Sequence, residues 1–389
     1  MSETAPKNVS LARSGTVVQI DRLPTMQDIT EKARELGFNL VGKTLTEPLF
    51  AWKREVERRI DEGLIVAETW FRRNLEFAPE EIMPCTRQAL VLVRSYKPFV
   101  EPFPSATALY SAHYREYPTG LRQAVSFTKW LRDMGINASV TSHLPLKPLA
   151  VEAGLGVYRQ NSLVYSEASG SFMILYGVVT DTEIRGGIFC SDLDGIASDC
   201  AECNICINEC PTGAIMPQGV IDHSKCIRNH MGSGRIVPPE IRTAYGVRLL
   251  GCEICQRVCP KNAHVLQDVS LPPCEELEMF ALPKLLDLNQ PTWKLTLENI
   301  SGVIGKNYAR KNRILGDAVI VAGNAKDPDL LKYLKETLKY PHVPVRAHSA
   351  WAIGKIGTPN AEKILTNALY EEKDLEVISE IKAALREVC

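Results

Sequence analysis

The sequence predicts an α+β fold in three parts, and three observations support it. Helix and strand patterns alternate from Met26 to about residue 185. Eight closely spaced cysteines follow between Cys200 and Cys259. Beyond Lys306 only helical periods remain. We therefore expect an N-terminal arm over 1–25, an α/β domain over 26–190, a cysteine-rich domain over 191–290 and a helical domain over 291–389.

The composition indicates a soluble globular protein. The chain has 389 residues, of which 45% are apolar and 23% charged, and this length predicts two or three domains. A net charge of −1 gives no overall attraction to nucleic acid, so any such site must be a local patch. The apolar run over 172–179 is far shorter than the ~20 residues that cross a bilayer. We expect a cytoplasmic protein without membrane association, in which clustered cysteines bind metal.

Four patterns define the N-terminal domain in chain order. Residues 26–44 read as an amphipathic helix followed by a short strand. Residues 88–96 form a short run rich in Val and Leu, which is typical of a buried strand. A helix over 121–133 ends at Gly135 and precedes another strand. Residues 162–184 predict two strands joined by a turn.

An internal repeat marks the helical domain. Residues 318–328 overlay residues 349–359 at an offset of 31 positions, which places Gly323 on Gly354 and Pro328 on Pro359. A second amphipathic helix follows each copy. A helical pair that recurs at this period predicts a short α-solenoid, and a plain helical cap is the alternative.

The first cysteine run has the spacing of bacterial two-cluster ferredoxins, C-x₂-C-x₂-C-x₃-C-P. It comprises Cys200, Cys203, Cys206 and Cys210, with Pro211 after the last. In this arrangement the first three thiolates bind one [4Fe-4S] cluster, and the fourth binds the other.

The second run, Cys252, Cys255 and Cys259, lacks its first cysteine, and Leu249 stands at that position. Two clusters need eight thiolates, so Cys226 between the runs is the expected replacement. The first cluster then takes Cys200, Cys203, Cys206 and Cys259. The second cluster takes Cys210, Cys226, Cys252 and Cys255.

Structural zinc sites are the alternative, since they also use C-x₂-C pairs, but they require neither the third close cysteine nor the proline. We expect no ligand role for Cys85, Cys190, Cys274 or Cys389. Two clusters carry single electrons towards an acceptor, which we place in the N-terminal domain. Neither a dinucleotide fingerprint nor a P-loop is present. The residues alone therefore indicate an electron carrier or a reductase with an unidentified acceptor.

Four segments resemble the cobalamin-dependent tRNA epoxyqueuosine reductases, which are relatives of reductive dehalogenases. AVEAGLGVYRQNSLV over 150–164 is similar to the family's AGLGWxGKN segment, and residues 170–181 are similar to its GSxxxLxxxxTD segment. Residues 240–262 resemble the stretch around the family's second cysteine run. Residues 345–357 resemble its HEAT-like tail.

The resemblance implies two [4Fe-4S] clusters and a base-off cobalamin in the N-terminal domain, used to reduce epoxyqueuosine to queuosine in tRNA. The proton donor of the family is an Asp in a G-[RK]-D-Y-H segment. Glu116 falls on that position, and Tyr117 matches the tyrosine. The two glycines of AGLG are expected at a turn or a close backbone approach. The implied cofactor-binding residues are Lys147, Gly154, Gly156, Asn161 and Ser171.

Several departures from the family pattern fall on the substrate side. Glu116 is one methylene longer than Asp, and Pro118 replaces a His. Residues 157–160 differ from the family's AGLGWxGKN pattern. These departures keep open a cobalamin-dependent reductase of a small organohalide or another epoxide. A non-enzymatic electron carrier is the third hypothesis.

The expected partners are tRNA and an external one-electron donor such as flavodoxin or ferredoxin, and we expect a monomer. Basic side chains of the helical domain are the candidate phosphate contacts, although acidic residues lie in the same region. These basic residues are Arg310, Lys311, Arg313, Lys332, Lys335 and Arg346.

Overall fold

The computed structural model describes residues 23–45, 49–63, 75–186, 197–200, 202–290 and 293–388. Of the predicted arm over 1–25, only residues 23–25 lie within these ranges. Cys190 and Cys389 lie outside them. Within them, no helix is both long and apolar enough to cross a membrane.

Two strands have eight residues each, and the other strands are shorter. The strands are β1 Leu40–Leu45, β2 Gln88–Ser95, β3 Leu109–Tyr110, β4 Ala138–Thr141, β5 Val157–Tyr158, β6 Val164–Tyr165, β7 Met173–Thr180, β8 Ile215–Met216, β9 Val220–Ile221 and β10 Arg248–Leu250.

The helices of the first half and of the cysteine-rich region are α1 Met26–Glu35, α2 Leu49–Asp61, α3 Pro79–Ile82, α4 Ala112–Asp133, α5 Leu146–Glu152, α6 Ile205–Asn208, α7 Ile227–His230, α8 Pro239–Ala244, α9 Ile254–Arg257, α10 Cys274–Met279 and α11 Leu282–Leu286. The helices that follow are α12 Trp293–Ile304, α13 Lys311–Ala325, α14 Leu331–Thr337, α15 Val343–Ile356, α16 Pro359–Glu371 and α17 Leu375–Val388.

A four-stranded sheet in the order β1–β2–β7–β4 carries the N-terminal fold. All three pairings are antiparallel, and β2 pairs with β7 from Gln88↔Thr180 to Ser95↔Met173. The first six residues of β2 are buried, as its Val- and Leu-rich sequence predicts. Helices with an antiparallel sheet are an α+β arrangement, as predicted.

The described chain separates by internal contacts into two compact units made of interleaved segments. The first unit contains the described residues up to Ser95, with Thr119–Arg159 and Leu163–Ala197. The second contains Tyr96–Pro118, Gln160–Ser162 and the residues from Ser198 onward. The predicted domain boundaries follow the chain order and stay a prediction.

Helix α4 begins nine residues earlier than the helix predicted over 121–133. Pro118 and Gly120 argue against a helix, because proline removes a backbone donor and glycine weakens a helix interior. The glycine has a packing reason here, since a Cβ at Gly120 would overlap the hydroxyl of Tyr176.

The repeat predicted for the helical domain is present over α13–α17. A Cβ on Gly323 would lie 2.7 Å from the Cα of Ala352, and one on Gly354 would lie 3.0 Å from the Cα of Ala384. The two glycines that superpose in sequence therefore have the same structural role. Gly323 allows α13 to pack closely on α15, and Gly354 allows α15 to pack closely on α17.

Candidate cluster sites and active site

The two cysteine runs form two matching turns of helix in the second unit. Helix α6 carries Cys206, and α9 carries Cys255, and these two short helices pack against each other. After each helix the run ends in a Cys-Pro pair. The chain thus places the thiols of both runs around one helical junction.

The structure brings the thiols of the two runs and of Cys226 close to one another, and their division into the two predicted sets stays a prediction. Cys206 lies within electrostatic range of Cys200, Cys203 and Cys259, and burial, with a contribution from these thiols, raises the pKa of Cys206 to about 11. Burial also raises the pKa of Cys252 to about 11. Cys252 lies within electrostatic range of Cys226 and Cys210, and Cys255 lies within that of Cys252, Cys226, Cys206 and Cys210.

The described residues contain no three Cys, His, Asp or Glu side chains placed to hold a single metal ion. Leu249, at the position of the missing cysteine, lies in β10 and is 1% exposed. Cys226 precedes α7, and its amide donates to Asp222 O at 3.0 Å. Leu249 is therefore a core residue, and Cys226 remains the predicted fourth thiol of the second set. Cys85 and Cys274 are exposed.

Backbone amides donate to several of these sulfurs. Gln160 N–H lies 3.4 Å from Cys200 Sγ, and Ala214 N–H lies 3.3 Å from Cys210 Sγ. Such hydrogen bonds tune the potential of an iron–sulfur cluster. The Gln160 side chain also accepts from Gly219 N–H at 3.2 Å. Sequence reasoning missed Gln160, although it directly precedes the predicted Asn161.

A half-buried cation, Arg228, lies close to Cys226. The guanidinium of Arg228 lies 5.0 Å from the ring centre of Tyr114 and 5.7 Å from that of Tyr308, and it donates to the Tyr308 hydroxyl at 3.1 Å. Burial raises the pKa of the Cys226 thiol, and Arg228 opposes that rise because a nearby cation favours the thiolate. The only sequence signal for Arg228 is its place two residues after Cys226.

A buried carboxylate ties the segment Tyr96–Pro118 to the second cysteine run. Glu253 accepts hydrogen bonds from Ser111 Oγ at 2.5 Å and from the Tyr96 hydroxyl at 3.2 Å. Arg257 Nη2 donates to Glu253 at 3.0 Å. Glu253 lies between Cys252 and Cys255 in the chain, so this network fixes the loop that carries both thiols.

The predicted proton donors lie on α4, in the same unit as the cysteines. Arg115 Nη1 lies 3.7 Å from a carboxylate oxygen of Glu116, and Arg115 Nε donates to Glu276 at 3.0 Å. The Tyr117 ring stacks on that of His113, with 6.3 Å between the centroids. Burial raises the pKa of Tyr117, so its hydroxyl keeps its proton at neutral pH.

The predicted cofactor-binding residues are divided between the units. In the first unit, Lys147 is exposed, Ser171 is buried, and Gly154 has φ +70° in the turn after α5. A Cβ on Gly156 would lie 2.5 Å from a backbone oxygen of β6, so its backbone approach is close. In the second unit, Asn161 Nδ2 donates to the carbonyl of Cys255 at 3.3 Å.

Two family models match the chain. Residues 199–262 match a 4Fe-4S double cluster binding domain, and residues 313–386 match HEAT repeats. The iron–sulfur interpretation is therefore favoured over zinc, and the predicted α-solenoid is confirmed. Together with the sheet, these matches confirm the predicted fold class.

Known relatives match over most of the chain. An epoxyqueuosine reductase of Bacillus subtilis (strain 168) is 25% identical over 379 residues, which is 92% of this chain and 95% of that protein. An epoxyqueuosine reductase of Bacillus anthracis is 31% identical over 259 residues, which is 66% of each chain.

Solved structures show the same fold. A crystal structure of selenomethionine-labelled epoxyqueuosine reductase has a TM-score of 0.79 at 23% identity and covers 94% of this chain and 99% of that one. A structure of epoxyqueuosine reductase with an epoxyqueuosine-modified tRNA-Tyr stem loop has a TM-score of 0.78 at 23% identity, with coverages of 93% and 98%.

Proposed function

The chain belongs to the epoxyqueuosine reductase family, and from this premise we propose that it reduces epoxyqueuosine to queuosine in tRNA. The observation that carries the proposal is the match over 92% of this chain and 95% of the B. subtilis enzyme, which includes both the cluster segment and the helical repeat. The reaction removes the epoxide oxygen as water, leaves a carbon–carbon double bond, and consumes two electrons and two protons.

The electrons arrive one at a time through two [4Fe-4S] clusters. Cys200, Cys203, Cys206 and Cys259 hold the first, and Cys210, Cys226, Cys252 and Cys255 hold the second. Cys206 of the first set lies within electrostatic range of Cys255 of the second, which supports direct passage between neighbouring clusters. A one-electron carrier such as flavodoxin or ferredoxin supplies the first cluster.

A base-off cobalamin is the second cofactor of this proposal. The rim of a corrin carries amide groups, which need hydrogen-bonding partners. The ammonium of Lys147, the exposed backbone at Gly154 and the hydroxyl of Ser171 have the chemistry to meet them. When bound, cobalamin would supply a reducible cobalt centre able to open the epoxide.

Glu116 donates the proton that the epoxide oxygen needs to leave as water. Arg115, held by Glu276, lies on one side of the Glu116 carboxyl and restricts its position. Tyr117 retains its proton and is the second donor. A positioned acid of this kind contributes roughly 10²–10⁴-fold to a rate.

The helical repeat contacts tRNA phosphates through part of the basic set. Arg310, Lys332 and Lys335 are exposed and suited to this role. Arg346 is not, because its guanidinium donates to both carboxylate oxygens of Glu372, at 2.8 and 3.1 Å. The candidate face is therefore smaller than the sequence suggests.

Turnover of an anticodon stem loop that bears epoxyqueuosine tests the proposal. The purified protein, reconstituted with iron, sulfide and cobalamin and given a chemical reductant, should yield a nucleoside lighter by one oxygen atom in mass spectrometry. The same reaction with a Glu116→Gln protein controls for non-enzymatic reduction. Reduction of a small epoxide or organohalide without turnover of the stem loop would identify a small-molecule reductase, and failure to bind corrinoid would identify an electron carrier.

A further inference from the structure

Three inner helices of the repeat each present one polar side chain to the same stretch of chain. Asp317 lies on α13, His348 on α15 and Glu380 on α17. The steps between them are 31 and 32 residues, by subtraction of the residue numbers, and 31 is also the step from Gly323 to Gly354. These three residues therefore occupy equivalent positions in successive repeats, and we call them the polar row.

The first two members of the row accept hydrogen bonds from backbone amides. Asp317 Oδ2 accepts from Gly232 N–H at 2.6 Å, and His348 Nε2 accepts from Val237 N–H at 3.0 Å. His348 Nδ1–H donates to Gly316 O at 3.1 Å, which fixes the tautomer that leaves Nε2 as an acceptor. Burial lowers the pKa of His348 to about 3, in keeping with a neutral ring.

The third member holds a buried cation. Both carboxylate oxygens of Glu380 accept from Arg242, at 2.8 and 2.7 Å, and Arg242 is fully buried. Arg242 Nε also donates to Val237 O at 2.5 Å. Asn324 of α13 donates to the carbonyls of Arg242 and Gly246, at 2.8 and 2.9 Å. The repeat therefore supplies hydrogen-bond partners both for backbone groups of this stretch and for the Arg242 side chain.

The geometry of the contacts matches the geometry of the repeat. The three contacted residues, Gly232, Val237 and Arg242, are spaced by five positions each. Packed helices lie roughly 8–10 Å apart, and five residues of chain reach at most about 17 Å, so each step along the stretch can cover one step along the repeat. The stretch over 228–246 joins Cys226 to the run that begins at Cys252.

We propose that the polar row is a positioning device for the second cluster: it binds the chain's own 228–246 stretch, as a solenoid binds a peptide, and thereby sets the thiols of Cys226 and Cys252. This inference rests on the proposed two-cluster function. Part of the inner face of the helical repeat thus serves the cluster domain and is already occupied by the chain.

Iron content and cluster signals of matched variants test the inference. Glu380→Ala removes both hydrogen bonds to Arg242, and Glu372→Ala removes an equivalent pair from Arg346 inside the same repeat, away from the stretch. After anaerobic purification, Glu380→Ala should lose at least half of the second cluster's electron paramagnetic resonance signal and keep the first. Glu372→Ala should keep both signals.

Two substitutions of Asp317 give a second comparison, in which the side chain keeps a similar size and only the hydrogen-bond acceptor is lost. Asp317→Asn retains an oxygen that accepts from Gly232 N–H and should retain both clusters, whereas Asp317→Leu has the same bulk without an acceptor and should lose the second. In iron-free protein, trypsin should cleave after the exposed Arg235 several-fold faster in Asp317→Leu than in Asp317→Asn.

Equal cluster loss in Glu380→Ala and Glu372→Ala would overturn the inference, because the effect would then be general instability. Retention of both clusters by Glu380→Ala and Asp317→Leu would overturn it as well. Wild-type protein with only four iron atoms per chain would instead refute the two-cluster proposal on which the inference stands, so the two failures are distinguishable.

Discussion

Replacement of Cys226 by alanine is the sharpest test of how the thiols are shared. In the proposed assignment the eight thiols form two sets of four, and Cys226, which lies within electrostatic range of Cys252 and Cys255, belongs to the second set. Each [4Fe-4S] cluster takes four thiolates, so Cys226→Ala leaves the second set one ligand short. We expect iron to fall from about eight to about four atoms per chain, with the first cluster intact.

The same reasoning predicts that a cysteine at the ferredoxin-like position does not rescue the variant. Leu249 lies in β10, which pairs with β3, and its side chain is almost fully buried in the core. We expect a thiol there to remain in the core and not to replace the Cys226 sulfur. The double variant Cys226→Ala/Leu249→Cys should therefore contain about four iron atoms as well.

Iron and sulfide analysis of anaerobically purified protein, with electron paramagnetic resonance of the reduced state, measures both variants. Cys274→Ala is the matched control. Because Cys274 is exposed at the start of α10, its replacement should leave the iron content and the spectrum unchanged. Full iron in Cys226→Ala, or its restoration by Leu249→Cys, would refute the assignment of ligands.

Four further predictions follow from the site and its supports. Glu116→Gln should lower kcat by roughly 10²–10⁴-fold with unchanged cluster spectra, and a rate within twofold of wild type would exclude an acid role. Gly156→Ala should lower the free energy of unfolding by about 1–3 kcal/mol in urea titrations, because its Cβ meets a backbone oxygen at 2.5 Å. Gly302→Ala, in open space on α12, should raise it by about 0.5–1 kcal/mol, and similar effects at both positions would contradict the packing argument. In the folded protein the pKa of His348 is lowered to about 3. As the pH falls from roughly 6.5 to 3, only the unfolded chain gains a proton at this residue, so the free energy of unfolding decreases. Relative to His348→Gln, wild type should lose about 2 kcal/mol from pH 6.5 to 5, and parallel stability curves would count against this. Arg310→Gln should reduce the slope of log Kd for tRNA against log salt by about one, and an unchanged slope would remove Arg310 from the interface.

Local pattern was enough to predict the parts of the fold that depend on spacing. The spacing of the cysteine runs predicted the double-cluster segment that the family model matches over 199–262, while the division of the thiols into two sets stays a prediction. The helical repeat follows from the register that puts Gly323 on Gly354, because a packing constraint that recurs in space also recurs in sequence. The buried strand β2 follows from its apolar run.

The features that sequence reasoning missed depend on contacts between distant segments. Helix α4 continues through Pro118 and Gly120 because tertiary packing overrides their low helix propensity. Gln160 is hydrogen-bonded to a cysteine forty positions away, and nothing near it in the chain indicates this. The same holds for Arg228, whose aromatic partners Tyr114 and Tyr308 come from two remote segments.

The polar row has a consequence for the order of events during synthesis. Domains generally fold as units while the chain emerges, N-terminal parts first. Both cysteine runs leave the ribosome before α15 and α17, which carry His348 and Glu380. The nascent chain therefore exposes eight thiols without the scaffold that orders the stretch between them. We expect iron–sulfur assembly on the second set to be largely post-translational.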